Sequence, residues 1–259
     1  MTRRHLTFDC AGDRLVGTLD TASGRTALLV VSGGNEVRAG AWNGQSLLAA
    51  RVAEAGHPVL RFDRRGVGDS EGANRGFRGS AADIAAARNA LRAHCPQVER
   101  IVGFGNCDAA SSLMLAKGAG LDALVLSNPW TLEDESAAAP SAVVRSHYRR
   151  RLADPAAIGR LLTGRVSFTK LARSLAAAAR PAPHAMHGLA AEIAAGIAHF
   201  RGPVRILVAG RDRTGQTFLA RWPRHDARIR SFAEATHSYV EPEAQEWLAA
   251  QMLEALSST

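Results

Sequence analysis

The chain has 259 residues, 46% of them hydrophobic, 22% charged and 5% aromatic, a composition that excludes intrinsic disorder and fits one large α/β domain, with or without an insertion. Its formal charge of +8 comes from 32 basic against 24 acidic residues, nearly all the basic ones arginine, and no basic segment carries the interleaved aromatics of a nucleic-acid surface, so no nucleic-acid partner is expected. No apolar run approaches the roughly 20 residues that cross a bilayer and the basic start lacks the apolar segment of a secretory signal, so the expectation is a soluble, cytoplasmic protein.

In chain order, HLTFDC and RLVGTLD alternate apolar and polar residues around Ala11-Gly12-Asp13, which predicts an antiparallel hairpin. TALLVVS is a continuous aliphatic run, the pattern of a strand buried on both faces, and it stops at Ser32-Gly33-Gly34-Asn35. A helix over about 41–55 should bury Leu47, Leu48, Val52 and Ala55 and end at Gly56, before the strand HPVLRFD. The loop DRRGVGDSEG leads to a helix near 80–94, with Ile84, Ala87 and Leu91 on one face, and then to the strand RIVGFG. A further helix ends near Gly118 and the strand DALVLSN follows. Strands alternating with helices imply a parallel sheet covered on both sides.

The rhythm breaks between about 130 and 202, where SAVVRSHYRRRL, PAAIGRLL and GLAAEIAAGIAHF favour helix and no strand is credible. This stretch reads as a helical cap inserted into a single domain spanning 1–259. The sheet pattern resumes with PVRILVAGRD, a helix over about 216–222, the strand RIRSFAEA, the loop Thr236-His237-Ser238 and a closing helix, PEAQEWLAAQMLEAL.

The segment RIVGFGNCDAASSLML carries the most chemistry. A buried strand runs into small-x-nucleophile-x-small and then into a helix, with Gly105 and Ala109 flanking Cys107 so that the backbone can fold tightly around a strained residue. The helix N-terminus beyond it favours a thiolate and an oxyanion. A nucleophile needs a base and an orienting acid, and His237 and Asp212 follow the last two strands at their C-terminal ends. Each residue alone has an ordinary reading: Cys107 as a buried small side chain, Asp212 as a helix cap, His237 as a loop histidine. Their joint placement points to acyl transfer. The oxyanion donors would be the backbone N–H of Asp108 and one from the glycine loop, Gly34 or Asn35.

The combination of SGGNE, RFDRRGVGDSEG, GFGNCDAAS, a mid-chain insertion, GRDRT and ATHS resembles the α/β-hydrolase superfamily over essentially the whole chain, whose nucleophile, acid, histidine order Cys107, Asp212 and His237 repeat. VSGGNEVRAG, DRRGVGDSEGANRGFRGS and GFGNCDAAS are more narrowly similar to the exosortase A system-associated hydrolase family 1, bacterial proteins encoded with exopolysaccharide and exosortase genes. The resemblance implies an α/β-hydrolase fold and a hydrolase or acyltransferase cleaving an ester, thioester or lactone, with no cofactor and no metal. The substrate would be a small-molecule, lipid-linked or glycan-linked acyl compound. Two departures stand out: position 107 is cysteine where most of the superfamily has serine, and the second flanking glycine is Ala109. The alternative reading is a hydrolase fold retained as a non-catalytic binding or assembly component of an exopolysaccharide apparatus.

Other conspicuous residues are assigned to structure. Asp63, Arg65, Gly66, Gly68 and Ser70 form a scaffold turn that lacks the lysine of a phosphate-binding loop. Cys10 falls in register with Leu6 and Phe8 as core, Cys95 sits at a helix end, and the three cysteines make neither a disulfide framework nor a zinc site. Glu234 is a reserve candidate for the orienting acid. Arg145, Arg149, Arg150, Arg151 and Arg160 crowd one stretch of the cap, where Arg145 and Arg149 are candidates to bind an anionic substrate group; a solvated helix face is the competing reading.

Overall fold

The computed structural model describes residues 2–132, 188–223 and 225–258. Eight strands form one sheet in the order β1-β2-β4-β3-β5-β6-β7-β8. They are β1 (Thr2–Cys10), β2 (Asp13–Thr21), β3 (Thr26–Val31), β4 (Val59–Phe62), β5 (Arg100–Asn106), β6 (Ala123–Ser127), β7 (Val204–Ala209) and β8 (Ile229–Phe232). β1 and β2 pair antiparallel through a two-residue turn whose Ala11 and Gly12 both have positive φ (55° and 88°), the geometry that matches strand twist in a tight hairpin. β2 is antiparallel to β4, and every pairing from β4 to β8 is parallel.

Strand alternation divides the core into two layers. Leu29, Val31, Leu60 and Phe62 face the side covered by α2 (Ala81–His94), α3 (Asp108–Leu115) and α4 (Leu189–Ala198), joined there by Phe218 of α5 (Arg213–Arg221). Leu28, Val30, Val59, Val102 and Val125 face α1 (Gly44–Glu54) and α6 (Pro242–Ser257). Burying aliphatic side chains on both faces explains the aliphatic runs 27–31 of β3 and 123–126 of β6, while β4 carries the buried Arg61 in its run.

Two details differ from the sequence-based expectation. α1 buries Ser46, Leu48, Ala49, Val52 and Ala53, while Leu47 is 51% exposed and Ala55 is an exposed C-cap. The cause is upstream: Trp42 and Asn43 take left-handed backbone conformations, so the helix starts at Gly44 in a phase that turns Leu47 outward. α5 begins at Arg213, three residues earlier than predicted, because Asp212 caps it. Of the cap expected over 130–202, α4 is described and packs against α3; residues 133–187, with Arg145, Arg149, Arg150, Arg151 and Arg160, lie outside the described residues. Among the described residues no helix is long and apolar enough to cross a membrane.

The scaffold turn after β4 behaves as anticipated. The Asp63 carboxylate accepts from Asp69 N–H (3.1 Å) and Arg38 N–H (2.6 Å), and a Cβ at Gly68 would lie 2.4 Å from it. Ser70 donates to the Asp63 carbonyl (2.7 Å), and Arg65 Nε pairs with buried Asp83 at 2.6 Å.

Candidate active site

Parallel strands direct their C-terminal ends to one edge of the sheet, where the loops after β3, β5, β7 and β8 converge. Cys107 follows β5 and is the N-cap of α3, with φ 61° and ψ −125°, a strained conformation for a residue with a Cβ. The turn is tight: a Cβ on Gly105 would stand 2.7 Å from the Ala109 carbonyl carbon, whereas Ala109 is accommodated and fully buried. The end of β6 braces it, since Cys107 N–H donates to the Ser127 carbonyl (2.9 Å) and Trp130 N–H to the Cys107 carbonyl (3.2 Å).

Asp212 lies beyond β7 and is 7% exposed. Its carboxylate accepts from the N–H groups of Thr214 (3.1 Å) and Gly215 (2.9 Å), and its Oδ2 stands 2.9 Å from Nδ1 of His237. His237, in the loop after β8, lines the same cavity as Cys107. The Asp212 carboxylate, with the neighbouring Cys107 side chain as the next contributor, pushes the His237 pKa up to about 10. Sulfur, imidazole and carboxylate thus form one chain across three loops. Glu234 is exposed and the imidazole's carboxylate partner is Asp212, so the reserve candidate is set aside.

Cys107 and His237 border a cavity of about 450 Å³ lined also by Gly33, Gly34, Asn35, Glu36, Phe77, Asn106, Asp108 and Trp130. Asp108 is the first residue of α3, where helix N–H groups lack intrahelical partners. Asn35 lines the same wall, its side chain accepting from Asn74 (2.8 Å). Gly34 departs from the expectation of an open donor: its N–H donates to Oδ1 of Asp108 at 2.7 Å. Buried Arg64 reinforces the contact, donating to the Gly34 carbonyl and standing 3.8 Å from the Asp108 carboxylate. A Cβ on Gly33 would come within 2.6 Å of that carboxylate, which explains one glycine of the pair.

Sequence reasoning missed the polar network behind the histidine. Asn128, fully buried with φ 44°, accepts from Ala209 N–H (2.8 Å) and donates to Asn106 Oδ1 (3.0 Å) and Ser127 Oγ (3.2 Å). Asn106 donates in turn to the His237 carbonyl (3.2 Å), and the Tyr239 hydroxyl pairs with Ser127 Oγ at 2.8 Å. Two carboxamides, Asn128 and Asn106, therefore tie the ends of β5, β6 and β7 to the histidine loop. The available signal was an asparagine, a residue that tolerates left-handed backbone, at a strand end before Pro129. Glu36 was also missed; burial raises its carboxyl above the usual range, and it accepts from Ala41 N–H (2.5 Å) and Gln45 (2.7 Å).

A family model described as the alpha/beta hydrolase family matches residues 28–251. Among solved structures, the alpha/beta hydrolase GrgF from Penicillium sp. sh18 is similar at TM-score 0.67 and 17% identity, covering 100% of this chain and 99% of that one. Est1E from Butyrivibrio proteoclasticus, solved with ferulic acid bound, aligns at TM-score 0.62 and 17% identity, covering 97% and 99%. The Pyrococcus furiosus esterase Pf2001 aligns at TM-score 0.62 and 15% identity, covering 99% and 90%. At such identities the likeness is one of fold. No curated protein matches the sequence.

Proposed function

The chain belongs to the alpha/beta hydrolase family, and from that premise we propose that it is a cysteine-dependent hydrolase or acyltransferase acting on an ester, thioester or lactone. The observation that carries the reading is the position of His237, whose Nδ1 lies 2.9 Å from the Asp212 carboxylate and which lines the same cavity as Cys107. Esterases and a thioesterase domain among the similar folds support the same class of chemistry. Two of the similar folds are named serine hydrolases; in this reading Cys107, at the strand-to-helix turn after β5, acts as the nucleophile instead.

In this mechanism the proton of the Cys107 thiol resides on His237, whose pKa is raised to about 10, and Asp212 orients and stabilises that imidazolium until the leaving group takes the proton. The thiolate attacks the substrate carbonyl, and the oxyanion meets the Asp108 N–H at the start of α3, with Asn35 lining the same cavity. Collapse breaks the bond to the leaving group, which takes the proton from His237, and leaves the acyl group as a thioester on Cys107. Water deprotonated by His237, or an acceptor alcohol, then attacks the thioester and returns Cys107 as a thiol.

The segments VSGGNEVRAG and GFGNCDAAS, similar to the exosortase A system-associated hydrolase family 1, support a substrate drawn from bacterial exopolysaccharide or exosortase systems. A panel of short-chain esters and thioesters tests the activity. Turnover by the wild type and its loss in Cys107→Ala is the expected result; equal rates in both proteins would remove the proposal.

A further inference from the structure

A second cavity, of about 250 Å³, lies beside the first, between α1, α6 and the histidine loop. Trp42, Leu47, Leu48, Phe104, Tyr239 and Leu248 supply its apolar wall. Glu36 and Asn106 line both cavities, so the two abut.

The fold holds this surface open against the usual preferences. Trp42 and Asn43 adopt φ values of 46° and 66°, conformations that disfavour residues with a Cβ and persist where the surroundings impose them. Trp42 is 41% exposed, and its indole N–H donates to the Ser238 carbonyl at 3.0 Å, fixing the ring against the residue that follows His237. Among the described residues five large hydrophobic side chains are exposed, and four of them, Val37, Trp42, Leu47 and Val240, belong to the segments that border this cavity. An exposed apolar patch opening into an apolar cavity with a few polar groups is the composition of a ligand site.

Direction along the reaction coordinate identifies the occupant. The imidazolium must reach the departing atom, so the leaving group lies on the His237 side of the scissile carbonyl. Ser238 and Tyr239, the next two residues, line the second cavity. We propose that this cavity is the subsite for an aliphatic chain on the leaving alcohol or thiol, so that the substrate is an acyl ester or thioester of an alkyl chain several carbons long. The assignment of the chain as a leaving group rests on the acyl-transfer reading above; binding of the chain does not require turnover.

Two measurements test it. For acetate esters of alcohols from methyl to decyl, kcat/KM should rise about fourfold per methylene, the equivalent of ~0.8 kcal/mol, until the cavity is filled. Leu47→Asp, which places a charge at the mouth, and Ala41→Trp, which fills it, should flatten the series and leave methyl acetate turnover unchanged. Separately, Cys107→Ala protein is titrated with 9-bromononan-1-ol, whose bromine quenches a nearby indole. Saturable quenching should fall by more than half in Trp42→Phe, and binding should weaken about tenfold or more in Leu47→Asp. A chain-length series unaltered by both variants, or quenching indifferent to Trp42 and Leu47, overturns the proposal. Trp42-dependent quenching without turnover of any ester keeps the chain site and removes the hydrolase reading instead.

Discussion

His237 Nδ1 and Asp212 Oδ2 lie 2.9 Å apart, and the same carboxylate caps α5 through the N–H groups of Thr214 and Gly215. The two roles separate by substitution. Asp212→Asn retains a good capping side chain, so the unfolding midpoint should move little, while the imidazolium loses its counter-charge and kcat/KM should fall on the order of 10²- to 10⁴-fold. Asp212→Ala should lose the activity and also ~1 kcal/mol of stability from the cap. Ester kinetics paired with urea unfolding of the two variants make the comparison; an active Asp212→Asn enzyme would leave the carboxylate with capping alone.

Thiol chemistry distinguishes the three cysteines. Cys10 and Cys95 are buried, and burial raises both thiols above their ordinary pKa, whereas Cys107 is partly exposed beside His237. Iodoacetamide near neutral pH should therefore alkylate Cys107 first, as read by peptide mass spectrometry. In His237→Ala the rate should drop about tenfold or more, because thiolate formation loses its proton acceptor. Equal labelling of all three sites would contradict the arrangement.

The His237–Asp212 pair also links stability to pH. A histidine whose folded-state pKa is raised from 6.5 to about 10 contributes stability that is fully present below 6.5 and is lost as pH rises toward 10. The stability advantage of the wild type over His237→Ala should accordingly be largest near pH 6 and shrink by about pH 10. Urea midpoints of both proteins across that range provide the check, and an advantage that grows with pH would reverse the sign and refute the assignment.

Steric asymmetry around the nucleophile gives another test. Gly105→Ala drives a Cβ to 2.7 Å from the Ala109 backbone and should destabilise the protein by about 1–3 kcal/mol while displacing Cys107. Ala109→Gly meets no such obstacle; its expected effect is a loss of about 1 kcal/mol of helix preference with activity retained. Calorimetry and ester turnover on both variants would reveal whether the two small residues are interchangeable.

Asn128 offers a test of the buried network. Glycine relieves the left-handed backbone at φ 44°, so a purely conformational role predicts that Asn128→Gly is neutral or stabilising. A linking role predicts a loss of about 1–3 kcal/mol, because Ala209 N–H and Asn106 Oδ1 lose a buried partner. It also predicts slower Cys107 alkylation, since Asn106 would no longer hold the His237 carbonyl in place. The alkylation rate measured against pH, alongside the unfolding midpoint, distinguishes the two.

Most of the sheet was legible in the sequence because local pattern and burial agree there. The continuous run at β3, the alternation of β1 and β2, and the small-x-Cys-x-small turn after β5 each follow from constraints acting over ten or so residues. The errors came where a left-handed backbone turn or a partner distant in sequence decided. Leu47 reads as core in a helical stripe, yet the left-handed residues Trp42 and Asn43 rotate α1 and place it at a cavity mouth. Gly34 reads as a free donor, yet the Asp108 carboxylate, 74 positions away, takes its N–H.

Chain order and residue chemistry alone determined which side chains are candidates, because a parallel sheet brings the ends of its strands to one edge whatever the loops contain. Which groups meet there was decided by packing across the sheet. The Asp212–His237 bond spans separate loops, Asn128 joins three strand ends to the histidine, and the cavity behind Trp42 exists only where α1, α6 and the histidine loop come together. A hydrogen bond is specific to a few tenths of an ångström and a cavity to the phase of the helices around it, and neither quantity is carried by a one-dimensional pattern.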